Sequence, residues 1–157
     1  MGTSWEALDG RENDEHGASV SQSAVGLVGC SKAKLAHAAP AHELYISPLF
    51  RKAAEVCSIR FSEWAILSAK HGLIDPEQVI SPYDESLTTM SAGRRRAWGQ
   101  RVAREISERW TDPRVFHLFA GRHYMAALAD LQHVDELKGL SVGHRLKRLN
   151  AMLREGT

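Results

Sequence analysis

The sequence predicts an α/β fold: one domain built on a parallel or mostly parallel sheet flanked by helices. Three observations carry this prediction. Short apolar runs at residues 24–28, 64–67 and 115–120 each stop abruptly at a glycine or serine, as buried strands entering tight turns do. Helical periodicities separate them, with Leu49, Phe50, Ala53, Val56 and Cys57 in one stripe and Trp98, Val102, Ile106 and Trp110 in another. Strands alternating with helices give parallel neighbours joined by crossovers. A chain of 157 residues that is 43% hydrophobic is sufficient for one such core.

The elements follow in order. Residues 1–23 are polar, acidic and rich in Gly and Ser, and are expected to be a disordered leader ahead of a domain over 24–157. Five acidic residues there oppose only Arg11, a balance of −4; the chain as a whole carries +1, so the remainder carries +5 and suits a phosphate-bearing partner. The first strand ends in Gly29-Cys30-Ser31. Residues 32–46 read as a long loop containing Ala39-Pro40. Ser47-Pro48 opens a helix, with Ser as N-cap and Pro in the first turn, where its missing N–H costs nothing.

After the second strand, Ser91 is placed to cap a long helix whose outer face holds Arg94, Arg95, Arg101, Arg104 and Glu108. Asp112-Pro113 breaks that helix before the third strand, which Gly121 stops. Tyr124, Leu128 and Leu131 outline a short helix, 134–137 a poor strand, and Leu146, Leu149, Met152 and Leu153 a final amphipathic helix. In a parallel sheet the turns at Gly29, Ser68 and Gly121 emerge along one edge, where α/β proteins place their sites.

No apolar run approaches the roughly 20 residues of a membrane span, and the N-terminus lacks a signal-peptide core. Two cysteines, Cys30 and Cys57, fit a cytoplasmic setting with both thiols reduced. Eight histidines without Cys-x-x-Cys or His-Glu-x-x-His spacing give no reason to expect a metal, and no cofactor is expected.

The chemistry concentrates at the strand ends. Gly29-Cys30-Ser31-Lys32-Ala33-Lys34 offers backbone N–H groups and two ammonium groups to an anion such as phosphate, although it is not a Walker A loop; solvated lysines on a plain turn are the alternative. Ser68, Lys70 and His71 follow the second strand, with His71 able to act as acid or base near neutral pH or to serve as a structural loop group. Gly72 is expected to supply a backbone angle other residues resist, and Asp75-Pro76 to initiate a turn. Tyr83-Asp84 pairs an aromatic able to stack on a base with a carboxylate able to activate water. Cys30 is either a nucleophile or a small buried filler. The arginine face reads as a solvated helix surface or a nucleic-acid contact.

Val28-Gly29-Cys30-Ser31-Lys32-Ala33-Lys34, Leu44-Tyr45-Ile46-Ser47-Pro48-Leu49-Phe50, Leu67-Ser68-Ala69-Lys70-His71-Gly72-Leu73 and Pro82-Tyr83-Asp84 together resemble an uncharacterised bacterial and phage domain family. That family is similar, distantly, to the YaaA (peroxide-stress) proteins and to the core of archaeosine synthase. The resemblance implies a uracil-DNA-glycosylase-like three-layer fold and chemistry on nucleobases or nucleotides.

The expectation is therefore an enzyme acting on a nucleobase, nucleoside or nucleotide, breaking or exchanging an N-glycosidic bond. Asp84 and His71 would be catalytic. Gly29, Cys30, Ser31, Lys32, Lys34, Ser68, Lys70, Tyr83, Gly121 and Tyr124 would bind substrate. The alternative is a non-catalytic nucleic-acid-binding module of a repair or base-modification system, using Arg94, Arg95, Arg101 and Arg104. The enzyme reading requires the segments that carry Lys32, His71 and Tyr83 to meet at a common rim and jointly form a pocket; separate surfaces with no cavity between them would refute it.

Overall fold

The structure, a computed structural model, describes residues 23–156; the expected leader, apart from Ser23, lies outside the described residues. The described residues form an α/β fold around a mostly parallel sheet. Its centre is β1 (Ala24–Gly29), with β3 (Glu63–Ser68) on one side and β6 (Val115–Phe119) on the other, all parallel. Beyond β3 lies β4 (Gly72–Ile74), antiparallel, and beyond β6 lies β7 (His133–Asp135), parallel. Near-continuous burial along β1 and β3 matches apolar strands covered on both faces.

Register aligns the strand ends. Gly29 pairs with Leu67 and Val28 with Phe119, so the turns beginning at Gly29, Ser68 and Gly121 leave the same edge, as expected from the sequence. β1 passes to β3 on one side, whereas β6 leads outward to β7 on the other. The winding direction reverses between β1 and β6, and open sheets bind ligands at such a switch point.

The expected loop at 32–46 is more ordered than the sequence indicated. It contains β2 (Ala39–Pro40), a one-turn helix α1 (Ala41–Leu44) and a bridge between Lys34 and Tyr45. β2 pairs with β5 (Val79–Ile80) in a separate two-stranded ribbon. These pieces are too short to leave a hydrophobic period.

Helix α2 (Pro48–Arg60) starts as expected: Ser47 Oγ accepts the Phe50 N–H at 3.1 Å. Helix α3 (Ala92–Arg109) is capped likewise by Ser91, whose Oγ accepts from Arg94 N at 3.2 Å. Each cap contributes about 1 kcal/mol. Trp98, Val102, Ile106 and Trp110 are all buried. Short α4 (Arg122–Ala127) and final α5 (Val142–Gly156) complete the set.

Alternation along β1 sorts the helices by face. A side chain at Gly26 would meet Cys57 and Phe61 at the end of α2, whereas one at Gly29 would meet Ala120 and the ring of Tyr124 on α4. α2 packs with α5, and α3 with α4, so the sheet is the middle of three layers. Among the described residues no helix is long and apolar enough to cross a membrane.

Two contacts fix helices that later frame the site. Gly99 of α3 touches the α4 backbone so closely that a Cβ would drive into the Ala127 carbonyl. Glu136, just after β7, lies 2.5 Å from His117 Nδ1 of β6, while Arg148 of α5 donates to the Glu136 carbonyl at 2.8 Å. The hydrogen bond from His117 holds the Glu136 carboxyl below its ordinary value of 4.5, against the opposing effect of burial.

Gly99→Ala should lower stability by about 1–3 kcal/mol through overpacking despite alanine's roughly 1 kcal/mol better helix propensity. Gly93→Ala, where nothing lies within 4 Å, should be neutral or gain up to about 1 kcal/mol; urea midpoints read both, and matching losses would contradict the packing argument. Because the folded-state pKa of Glu136 is depressed, the unfolded chain takes up its proton first as pH falls. Its stabilisation is therefore complete above about pH 4.5 and is lost as pH drops through the lower folded value. Glu136→Gln should flatten that acid limb of a stability–pH curve, and an unchanged limb would contradict the assignment.

Candidate ligand site at the sheet switch point

All three tyrosines of the chain converge at the carboxyl edge of the sheet. Tyr45 and Tyr83 place their hydroxyl oxygens 2.6 Å apart, and Tyr83 lies 2.8 Å from Ser68 Oγ. Ser68 Oγ also accepts backbone N–H groups from Lys70 at 3.2 Å and His71 at 2.9 Å. With both acceptor positions filled, Ser68 donates to Tyr83, and Tyr83 in turn donates to Tyr45. Burial pushes the Tyr45 phenol up to about 12 and raises Tyr83 as well. These hydroxyls are neutral proton donors held in place, not ionisable catalysts at neutral pH.

Lys34 leans on this cluster, its Nζ 4.4 Å from the Tyr83 ring centroid and 5.7 Å from that of Tyr45. Burial lowers its pKa from the ordinary 10.5, opposed by Cys30, Asp84 and Glu85. The third tyrosine, Tyr124, stands beside β1: its hydroxyl lies 3.0 Å from Cys30 Sγ, and the Ala69 N–H also points to that sulfur at 3.4 Å. A Cβ at Gly29 would collide first with Ala120 Cβ, at 2.9 Å, and then crowd the Tyr124 ring.

Around these groups opens a cavity of about 520 Å³, within the usual 300–1,000 Å³ for small-molecule sites. Its cations and imidazole come from Lys32, Lys34, Arg122 and His123; Asp84 is the acidic residue in its lining; Ser86, Thr88 and Thr89 add hydroxyls. Cys30, Gly121 and Tyr124 form the wall shared with a smaller, mainly apolar compartment of about 200 Å³ between α2 and the ends of β1 and β6.

The structure thus brings together Cys30, Lys32, Lys34, Tyr83, Asp84, Gly121 and Tyr124. Gly29 and Ser31 line only the smaller compartment. Ser68, Lys70 and His71 are on the expected edge but outside both spaces. Ser68 is fully buried as a hydrogen-bond hub, with its carbonyl accepting Trp98 Nε1–H at 2.9 Å. His71 packs edge-on against Tyr83, centroids 5.5 Å apart, because β4 folds its loop behind that ring. Burial and the neighbouring Lys70 and Arg101 lower the His71 pKa, so it is neutral at pH 7. Gly72 has φ +76°, the left-handed conformation expected of it, and Asp75 initiates a turn by accepting the Glu77 N–H.

Three expected roles change with this geometry. The Cys30 N–H is bound to the Leu67 carbonyl at 3.0 Å, so the 29–34 turn does not offer that amide to an anion, and the cations carry the positive charge instead. Tyr83 is only 8% exposed with Lys34 over its ring; a base stacking there would have to displace the ammonium. On the arginine face, Arg95 binds the Leu87 and Met90 carbonyls and Arg101 those of Lys70 and His71. Arg95 thus braces the cavity wall at Leu87 and Arg101 the loop after β3, while Arg94 and Arg104 are exposed.

Sequence reading missed Tyr45, Ser86, Thr88, Thr89, Arg122 and His123. Arg122 and His123 directly follow Gly121, so the strand-end rule already pointed to them. The hydroxyls of 86–89 occupy a 3-10 turn capped by Ser86, with no pattern announcing a cavity wall.

Residues 25–151 match a family of unknown function, DUF6884. The chain belongs to that family. The match spans every strand and helix framing the two compartments, bar the first residue of β1 and the tail of α5. This DUF6884 chain is also 27% identical over 145 residues to "Uncharacterized protein YfjM" of Bacillus subtilis (strain 168), covering 82% of this chain and 94% of that protein. No solved structure matches.

The phenol–serine chain yields a stability prediction. Tyr83→Phe strips a buried partner from both Ser68 and Tyr45 and should cost about 1–3 kcal/mol. Combining it with Tyr45→Phe should cost less than the two single losses added, since both remove one shared bond. Additive losses in thermal melts would show that the hydroxyls act independently.

Proposed function

We propose that this protein is an enzyme acting on a nucleotide or nucleoside phosphate and that it hydrolyses the N-glycosidic bond. The observation that carries the reading is the composition of the larger cavity: cationic and hydroxyl groups around the Asp84 carboxylate, at the switch point of an α/β sheet. Lys32 and Arg122, with the hydroxyls of Ser86, Thr88 and Thr89, hold the phosphate. Asp84 stabilises the cationic sugar of the transition state and takes the proton of the attacking water. The C–N bond breaks with its electron pair leaving on the base, whose nitrogen is protonated by His123 of the same cavity in place of His71.

The motif resemblance to YaaA proteins and the archaeosine synthase core supports the nucleobase direction, and with it a uracil-DNA-glycosylase-like version of the three-layer fold. The free thiols of Cys30 and Cys57 support a cytoplasmic setting.

Turnover of nucleoside 5′-monophosphates, followed by release of free base, tests the reading. Asp84→Asn should lower kcat about 100-fold or more with little change in the dissociation constant. Lys32→Ala and Arg122→Ala should each weaken ribose 5-phosphate binding about tenfold. An Asp84→Asn variant with wild-type turnover would refute the catalytic assignment.

A further inference from the structure

The smaller compartment has no part in holding phosphate, and its chemistry differs from that of its neighbour. Val28, Leu49, Phe50, Ala53, Phe119 and Leu137 give it apolar walls, and Arg145 of α5 closes one side. The Arg145 Nε donates to the Leu140 carbonyl at 2.9 Å, which fixes the stem of its guanidinium. We propose that this compartment is the subsite for the planar ring of the substrate, the nucleobase itself. The inference rests on the nucleotide reading of the larger cavity and specifies where the two halves of that ligand lie.

Size limits what can enter. An apolar cavity of about 150 Å³ accepts a benzene ring. A space of about 200 Å³ therefore takes one flat heterocycle but not a sugar and phosphate besides. The larger cavity suits the ring less well: Lys32, Lys34, Asp84 and Arg122 put charges among its lining, and its Tyr83 face is covered by Lys34. Burying an apolar ring face against Leu49 and Phe50 is favourable at roughly 25 cal/mol per Å².

Continuity supplies the second argument. Cys30, Gly121 and Tyr124 line both spaces, and the Cys30–Tyr124 contact stands between them. Beyond its chain neighbours, a Cβ at Gly121 would have only the Arg145 guanidinium near it, at 3.9 Å. The backbone at Gly121, with φ −79° and ψ 177°, is open to any residue. Its missing side chain is therefore not required by the fold. It leaves a saddle over which a ligand can pass from the polar cavity into the apolar slot, and the glycosidic bond would cross that saddle. Arg145, reaching over it, offers donors to the edge of the ring.

The test compares three probes on the full chain by calorimetry: ribose 5-phosphate, adenosine 5′-monophosphate and guanosine 5′-monophosphate. Wild-type protein should bind at least one purine nucleotide tenfold or more tightly than ribose 5-phosphate. Leu49→Trp, at a partly exposed position lining only the apolar slot, and Gly121→Val, on the saddle, should each abolish that preference; Leu49→Trp should leave ribose 5-phosphate binding within twofold. Thermal melts within a few degrees of wild type establish that each variant is folded, and two variants on separate elements guard against loss of one. Equal affinity for nucleotide and ribose 5-phosphate, or a preference that survives both substitutions, would overturn the subsite while leaving the phosphate cavity standing. Absence of binding by all three probes would overturn the nucleotide reading as well.

Discussion

The constraint on which the site depends is that buried hydroxyl groups must find partners. Tyr45, Tyr83 and Ser68 come from three separate segments, and each is at most 8% exposed. They bond to one another and to the loop amides after β3. The segment after β1, the loop after β3 and the Pro-Tyr-Asp stretch are consequently locked into one arrangement. Lys34 covers the outer side of this cluster, and Asp84 follows Tyr83 directly into the cavity. The acid and the cation are positioned by a network that does no chemistry itself.

The central sheet was legible because its signals are physical and local. β1, β3 and β6 are largely buried and therefore read as mostly apolar runs, interrupted in β6 only by His117; their ends show because a turn follows at Gly29, Ser68 and Gly121. The serine caps of α2 and α3 were equally visible, since a helix start exposes N–H groups that Ser47 and Ser91 answer. β2, α1, β4 and β5 escaped because two to four residues carry no period, and their geometry is imposed by tertiary pairing.

The site was legible only in part, for a related reason. Residues at the strand ends had to lie on one edge, and they do. Which side of a tyrosine ring each occupies is decided by packing, not by position in the chain. His71 follows the fully buried Ser68 at the point where β4 turns back, and so falls behind Tyr83 and away from the cavity. Arg145 comes from the last helix and comes near Gly121 through the packing of α5 on α2 and the bond from Arg148 to the Glu136 carbonyl. The arginines of α3 look from the sequence like a binding surface, yet Arg95 spends its donors on the carbonyls of Leu87 and Met90, and Arg101 on those of the loop after β3.

Mapping by heteronuclear NMR tests the account most directly, using isotopically labelled protein titrated with adenosine or guanosine 5′-monophosphate. The account requires the largest amide shifts in 30–34, 84–89 and 121–124, with side-chain shifts at Leu49 and Arg145. Shifts confined to the outer face of α3 around Arg94 and Arg104, or no shifts at all, would contradict it.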